Sequence, residues 1–191
     1  MHYTIFDTPV LRTLLHWLSC GVLRLAGWRL HGAFPALDRY VLIGAPHTSN
    51  WDFPLTLLFC FAGGAKLYWM GKHTLFIGPL GPLMRWLGGI PVDRRQSNSL
   101  VEQMVAVFQR NDRLVVAVPP EGTRARVSKW KTGFYHIACG AGVPVALGYL
   151  DFARKQGGVM GVFYPSGDVE RDMPLIRARY QGIRGRHPDC Q

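Results

Sequence analysis

The fold is indicated by residues 40–52, which read Tyr40-Val41-Leu42-Ile43-Gly44-Ala45-Pro46-His47-Thr48-Ser49-Asn50-Trp51-Asp52. The first five residues are a β-rich run, and the apolar residues 53–61 that follow the stretch predict a helix. His47 is therefore expected where a strand ends and a helix begins. In α/β sheets this is the place where ligands bind.

The spacing of His47 and Asp52 could make a catalytic pair. We expect Asp52 in the first turn of a helix that Ser49 or Asn50 caps, and the loop can fold back until the carboxylate reaches the imidazole. A histidine held by an aspartate is a base that is ready to take a proton from a hydroxyl. The alternative is a capping aspartate and a loop histidine that never meet, and this stretch alone leaves both interpretations open.

Strands and helices alternate along the rest of the chain, whose 191 residues suit one α/β domain with its own core. Strands are predicted at 40–45, 66–70, 89–92, 114–118, 143–150 and 159–164. Helices are predicted at 51–62, 78–87, 97–110, 131–141 and 168–181. The strands at 114–118 and 143–150 are nearly continuously apolar, as in strands that are buried on both faces. The pattern predicts an α/β fold with a layered, mostly parallel sheet that helices flank.

Residues 9–30 mix leucine and tryptophan with arginine. Arginines near the middle argue against a membrane-spanning helix, and their position argues against a cleaved signal peptide. A basic amphipathic helix in the membrane interface fits better, and the alternative is a helix packed on the core. Gly21 and Gly27 could divide the segment into two helices. We expect residues 1–30 to form an amphipathic membrane-docking element and residues 31–191 to form the α/β domain.

The formal net charge of +10 calls for an anionic partner, which could be nucleic acid, a membrane surface or a phosphate-bearing substrate. The sequence has no helix-turn-helix spacing, zinc finger or aromatic RNA-binding signature, so nucleic acid is not expected. The four cysteines form no C-x-x-C motif or cluster with histidine, so no metal site is expected either. We interpret them as reduced thiols of a cytosolic compartment.

Two further polar clusters follow apolar strands. The first is Asp93-Arg94-Arg95, and the second is Pro120-Glu121-Gly122-Thr123-Arg124. If the strands are parallel, both clusters meet His47 at one edge of the sheet. Arginine there suggests a fork for phosphate oxygens, and Glu121 could orient an arginine or accept a substrate hydroxyl. The alternatives are a solvated loop for the first cluster and an ordinary turn with an ion pair for the second.

Together these motifs resemble the glycerolipid acyltransferase family, the lysophospholipid acyltransferases similar to 1-acylglycerol-3-phosphate acyltransferase. Its His-x4-Asp motif is matched by His47 and Asp52, and its strand ending in arginine is matched by residues 89–94. Its Pro-Glu-Gly-Thr-Arg motif is matched by residues 120–124, and its Val-Pro-Val motif by residues 143–145. All four occur in the family's order.

The resemblance implies transfer of an acyl chain from a thioester, either acyl-CoA or an acyl carrier protein, to the hydroxyl of a lysophospholipid-like acceptor, with no other cofactor. His47 would be the general base and Asp52 would hold it. The acceptor head group would be bound by Arg94, Glu121, Gly122, Thr123, Arg124 and Lys131. Backbone N–H groups near Val145 are candidate donors to the oxyanion. We expect the protein at the cytoplasmic face of the cell membrane, bound peripherally or monotopically.

The sequence also departs from the family pattern. Pro119 replaces an aromatic residue, Ala125 a serine, and Gly148 a second proline after Val-Pro-Val. These changes bear on the acceptor more than on the chemistry. Two other functions stay open: a lipid or thioester hydrolase that uses the same His-Asp pair, and a non-catalytic protein that binds anionic lipid. A serine esterase is disfavoured because the sequence has no Gly-x-Ser-x-Gly motif.

Overall fold

Alternating strands and helices make up the protein in a computed structural model that describes residues 1–93 and 97–190, with the backbone alone at 97–99. The helices are α1 (Pro9–Leu25), α2 (Asp52–Ala62), α3 (Leu80–Trp86), α4 (Ser97–Gln109), α5 (Gly133–Ala141) and α6 (Val169–Ala178). The strands are β1 (Arg29–His31), β2 (Arg39–Ala45), β3 (Tyr68–Lys72), β4 (Gly89–Val92), β5 (Leu114–Val118), β6 (Val145–Asp151) and β7 (Gln156–Phe163). Short 3-10 turns lie at Ile5–Asp7, His73–Phe76 and Pro188–Cys190.

Among the described residues, seven strands form one sheet in the order β1-β7-β6-β2-β5-β3-β4. β2 pairs in parallel with β5 and β6, and β3 pairs in parallel with β5 and β4. The predicted α/β class with a mostly parallel sheet is therefore confirmed. β7 runs antiparallel to β6, because only four residues join these strands and a parallel crossover needs a dozen or more.

Helices cover both faces of the sheet. One face of β2 and β5 packs against Met104 and Phe108 of α4, Phe134 and Ile137 of α5, and Ile176 of α6. The opposite face packs against α2, whose Cys60 and Phe61 meet Tyr40 and Leu42. Strands buried on both sides account for the continuous apolar runs in the sequence. The arrangement leaves the carboxyl ends of the parallel strands open at one edge.

The amino-terminal helix is shorter than predicted. It ends at Leu25, and Gly27, whose φ of +76° suits glycine, turns the chain into β1. β1 then pairs with β7 at the sheet edge, so Arg29 and Leu30 belong to a strand and not to the helix. Gly21 lies inside α1 and does not divide it.

α1 has two apolar faces. One face packs on the domain, where Leu23 is buried against Phe59 of α2 and Leu150 of β6. The other face, which we call the exposed apolar face of α1, consists of Val10, Leu14, Trp17, Leu18, Val22 and Leu25. No helix within the described part of the chain combines the length and apolar character that crossing a bilayer requires.

Candidate active site

The loops after β2 and β5 meet because these strands are neighbours in parallel register. Ile43 of β2 pairs with Val118 of β5, so both strands end at the same edge. His47 follows the first strand and Glu121 follows the second. The backbone N–H of His47 donates to Oε1 of Glu121 over 3.2 Å, which joins the two loops directly.

His47 and Asp52 lie in hydrogen-bond contact. Nδ1 of His47 is 3.0 Å from Oδ2 of Asp52, and the carboxylate is buried while the imidazole is half-buried. The backbone N–H groups of Thr48 and Ser49 donate to the same oxygen over 2.9 and 2.8 Å. The carboxylate is thus fixed by the loop that carries the histidine.

The helix cap differs from the prediction. α2 begins at Asp52 with Trp51 in the capping position, and no side chain caps it. Ser49 lies too early for that role, because its hydroxyl accepts the N–H of Trp51, two residues later in the chain. Asp52 takes its donors from the preceding loop and not from its own helix.

The pairing sets the chemistry that His47 can perform. An ionised carboxylate only accepts hydrogen bonds, so Nδ1 carries the hydrogen and Nε2 keeps its lone pair. His47 also lines the main cavity at this edge. An imidazole that is oriented in this way can accept a proton from a hydroxyl bound in the cavity.

Glu121 lies beneath the histidine loop. Its side chain is buried, Oε1 accepts the N–H of His47, and Oε2 has no hydrogen-bond partner among the described residues. Burial raises the pKa of the Glu121 carboxyl group, and the N–H of His47 opposes this shift only in part. The described part of the chain shows no ion pair at Glu121, so the alternative interpretation of an ordinary turn held by an ion pair is not supported there.

The remaining residues of the Pro-Glu-Gly-Thr-Arg loop face different surroundings. Gly122 has a φ of +65°. A Cβ at this position would lie only 2.9 Å from the Cδ atom of Lys131, whose side chain packs against the glycine. Thr123 is exposed and its hydroxyl accepts the N–H of Ala125 within the loop. Arg124 is exposed and lines the same cavity as His47 and Asp52. Arg94 lies outside the described residues.

The cavity at this edge has a volume of about 280 Å³ and a mainly apolar lining. It is bounded by both Asp52 and Phe59, so it extends along about 10 Å of α2 at 1.5 Å per residue. Its apolar lining includes Phe34, Leu42, Phe53, Phe59, Leu67 and Trp69. The space lies between this helix and the sheet, with the His-Asp pair on its wall.

Two glycines that sequence reasoning did not assign to the site lie beside this cavity. Gly44 and Gly148 lie opposite each other on β2 and β6, and both line it. Apart from Gly44 and its two chain neighbours, no described residue has a heavy atom within 4 Å of a Cβ at position 44. Glycine inside a strand is a signal for close approach of a ligand, so the two could have been noticed in otherwise bulky strands.

Val145 does not lie at the site. It is the first residue of β6 and pairs with Val41, four residues before the end of β2. It is fully buried at the opposite end of the strand from His47. The candidate oxyanion donors suggested near Val145 are therefore not supplied by Val145 itself.

Comparison with known proteins agrees with this geometry. A sequence model of the acyltransferase family matches residues 29–146, which is more than half of the chain. The chain belongs to the acyltransferase family. The matched segment contains His47, Asp52 and the loop 120–124. The family that the motifs predict is therefore confirmed.

The acyltransferase fold is also seen in a solved structure, the 1-acyl-sn-glycerophosphate (LPA) acyltransferase PlsC from Thermotoga maritima. It matches with a TM-score of 0.63 over 88% of this chain and 76% of that chain, at 15% sequence identity. At this identity the likeness shows a shared fold. A search of curated protein sequences finds no match.

Proposed function

We propose that this acyltransferase moves a fatty acyl chain from a thioester to the hydroxyl of a lysophospholipid-like acceptor, with His47 as the general base. The observation that carries the proposal is the His47–Asp52 pair on the wall of an apolar cavity that Arg124 also lines. The pair supplies a base, the cavity suits an alkyl chain, and the guanidinium suits an anionic head group.

The mechanism needs no protein nucleophile, because a thioester is already an activated acyl group. Nε2 of His47 takes the proton of the acceptor hydroxyl as the oxygen attacks the thioester carbonyl carbon. The tetrahedral intermediate then collapses, the C–S bond breaks, and the leaving thiolate takes the proton back from the imidazolium. Proton transfer of this kind contributes about 10²–10⁴-fold, and holding both reactants together contributes further.

The cavity supports a fatty acyl substrate through the hydrophobic effect. Each methylene that leaves water for an apolar site gains about 0.8 kcal/mol. Phe34, Phe59 and Leu67 offer such a site beside the base. A polar acyl group would gain nothing from these side chains, so their presence supports a long alkyl chain as the donor group.

We assign binding of the acceptor head group to the cationic side chains at the edge of the cavity. Arg124 is exposed on the cavity wall, where its planar guanidinium can bind two oxygens of a phosphate. The side chain of Lys131, which packs against Gly122, brings a second positive charge to this loop. From the resemblance to the family we also assign Arg94 and Thr123 to head-group binding. Glu121 is buried beneath His47, so we assign it to support of the loop and not to direct contact with the substrate.

The test is turnover of a labelled thioester by the purified protein. Radiolabelled acyl-CoA and acyl carrier protein are each supplied with and without lysophospholipids, beside a His47→Ala control. Labelled diacyl product that requires the acceptor and His47 supports the proposal. Release of free acid alone would instead identify a hydrolase, and no turnover with saturable lipid binding would identify a non-catalytic lipid binder.

We further propose that the exposed apolar face of α1 docks on an anionic membrane surface at the cytoplasmic face of the cell membrane. Trp17 is 70% exposed, and Leu14 and Leu18 flank it on the same face. Arg12 and Arg24 lie in the same helix, where anionic head groups would attract them. Such docking would bring a lipid acceptor to the protein without a spanning helix.

Substitution tests this docking better than deletion, because removing residues 1–30 would also remove Phe6 and Leu23 from the core. A triple Leu14→Ser, Trp17→Ser, Leu18→Ser variant should lose flotation with vesicles that contain anionic lipid. Leu175→Ser is the control, since Leu175 is also exposed but belongs to α6. Retained flotation of the triple variant would place the docking surface elsewhere.

A further inference from the structure

The carboxyl-terminal segment Ile183–His187 runs along the outside of the histidine loop, residues 46–51. Gly185 is buried against Thr48 and Pro46. The backbone N–H of His187 donates to the hydroxyl oxygen of Thr48 over 3.2 Å. The guanidinium of Arg186 lies over the ring of Trp51, 5.5 Å from its centroid. Three successive residues of this segment therefore contact the loop that carries the base.

The segment is fixed to the domain before it reaches the loop. The backbone N–H of Phe152, just after β6, donates to the carbonyl of Arg184 over 2.9 Å. The Arg154 guanidinium donates to the carbonyl of Gly182 over 3.1 Å. The side chain of Ile183 is buried in the main core. With these attachments, the segment can hold the loop in place and does not merely lie on it.

Gly185 fits only because it has no side chain. A Cβ at this position would lie 2.6 Å from Oγ1 and 2.8 Å from Cγ2 of Thr48, and 3.2 Å from Cγ of Pro46. Thr48 is itself only 5% exposed, so its side chain has little room to move away. A larger residue at position 185 must therefore displace the loop, the segment or both.

If Thr48 is displaced, the positions of Asp52 and His47 change too, because hydrogen bonds connect the three residues. The N–H of Thr48 donates to Oδ2 of Asp52, and that same oxygen holds Nδ1 of His47. We propose that Gly185 is a positioning residue for the base: the close contact between Gly185 and Thr48 fixes the loop, and through Asp52 it fixes the imidazole. This inference rests on the proposed function of His47.

The experiment compares Gly185→Ala with the double variant Thr48→Ala, Gly185→Ala. Misplacement of a reacting group by about 1 Å can cost on the order of 10²-fold, so Gly185→Ala should lower kcat by about 10- to 100-fold with little change in acceptor KM. Thr48→Ala removes the two atoms nearest to the new methyl group, so the double variant should recover part of the lost kcat.

Gly21→Ala is the matched control. It adds the same methyl group in α1, where the new Cβ has no heavy atom of the described residues within 4 Å beyond its chain neighbours and the backbone of its own helix, and it should keep full kcat. A Gly185→Ala enzyme with unchanged kcat, or a double variant no better than the single one, would overturn the positioning role. His47→Ala is measured in parallel, since turnover in that variant would remove the proposed function itself, whatever Gly185 does.

Discussion

Oδ2 of Asp52 lies 3.0 Å from Nδ1 of His47, and two backbone N–H groups of the intervening loop point at the same oxygen atom. Three donors on one oxygen fix the direction of the carboxylate and hence of the ring. The loop and Asp52 therefore orient the ring together and keep its hydrogen on Nδ1.

Replacing His47 by alanine should lower kcat for acyl transfer by about 10²–10⁴-fold, because the general base is lost. The side chain is half-buried in a loop, so the free energy of unfolding should change by less than about 1 kcal/mol. Steady-state kinetics beside a thermal melt separates the two effects. A variant that stays folded and keeps most of its turnover would assign proton removal to another group.

Replacing Arg124 by alanine should raise the acceptor KM by about 10- to 100-fold, as expected for loss of a hydrogen bond to a charged group. The KM for the thioester should change little. Arg126→Ala is the matched control, because Arg126 is exposed in the same loop two residues later. Arg124→Lys should fall between, since lysine keeps the charge but not the planar fork. Equal effects at positions 124 and 126 would point to general charge and not to a pocket.

Replacing Gly44 by leucine should shorten the acyl chain that the enzyme prefers. Within the described structure a Cβ at position 44 meets no atom within 4 Å beyond its chain neighbours, and Gly44 lines the apolar cavity, so folding should tolerate a side chain here. Each methylene that is excluded removes about 0.8 kcal/mol of binding, which is about fourfold in kcat/KM. Kinetics with a series of acyl-CoA chain lengths measures the shift, and Gly44→Ala should give a smaller one. An unchanged preference in both variants would mean that the chain binds elsewhere.

Glu121 should make stability depend on pH. Because burial raises its pKa, the folded protein holds the proton of Glu121 at pH values where the unfolded chain has released it. The free energy of unfolding should therefore fall as pH rises through the interval above the ordinary value of 4.5. Glu121→Gln keeps an oxygen for the N–H of His47 and should show less of this fall. Urea unfolding across that pH range measures it, and parallel curves for the two proteins would contradict the shift.

The sequence correctly predicts those elements of the fold whose own residues form a clear apolar pattern. The predicted bounds of β2 and β5 agree with the structure within one residue, because their apolar runs are continuous and are bounded by polar loops. β1 is not predicted by the sequence, since Arg29-Leu30-His31 has no apolar pattern and joins the sheet by backbone pairing with β7. The antiparallel direction of β7 follows from a short connection and not from its composition.

In the candidate site, too, some features can be predicted from the sequence and others cannot. The approach of His47 to Asp52 depends on a local loop of four residues, so spacing alone suggested it. The cavity could not be foreseen, because its walls come from segments that only the folded sheet brings together. The contact of Gly185 with Thr48 joins residues far apart in the chain, and a glycine that is required by close packing has no sequence signature of its own.

The pairing of β1 with β7 has a consequence for biosynthesis. Arg29 finds its partner only at Gln156, so this edge of the sheet can close only after residue 156 has left the ribosome. Until then α1 is tethered to an unfinished domain, with the surface meant for Leu150 still uncovered. Contacts of such high sequence separation slow folding. On the nascent chain, the apolar side chains on both faces of α1 therefore stay exposed until the later strands have folded.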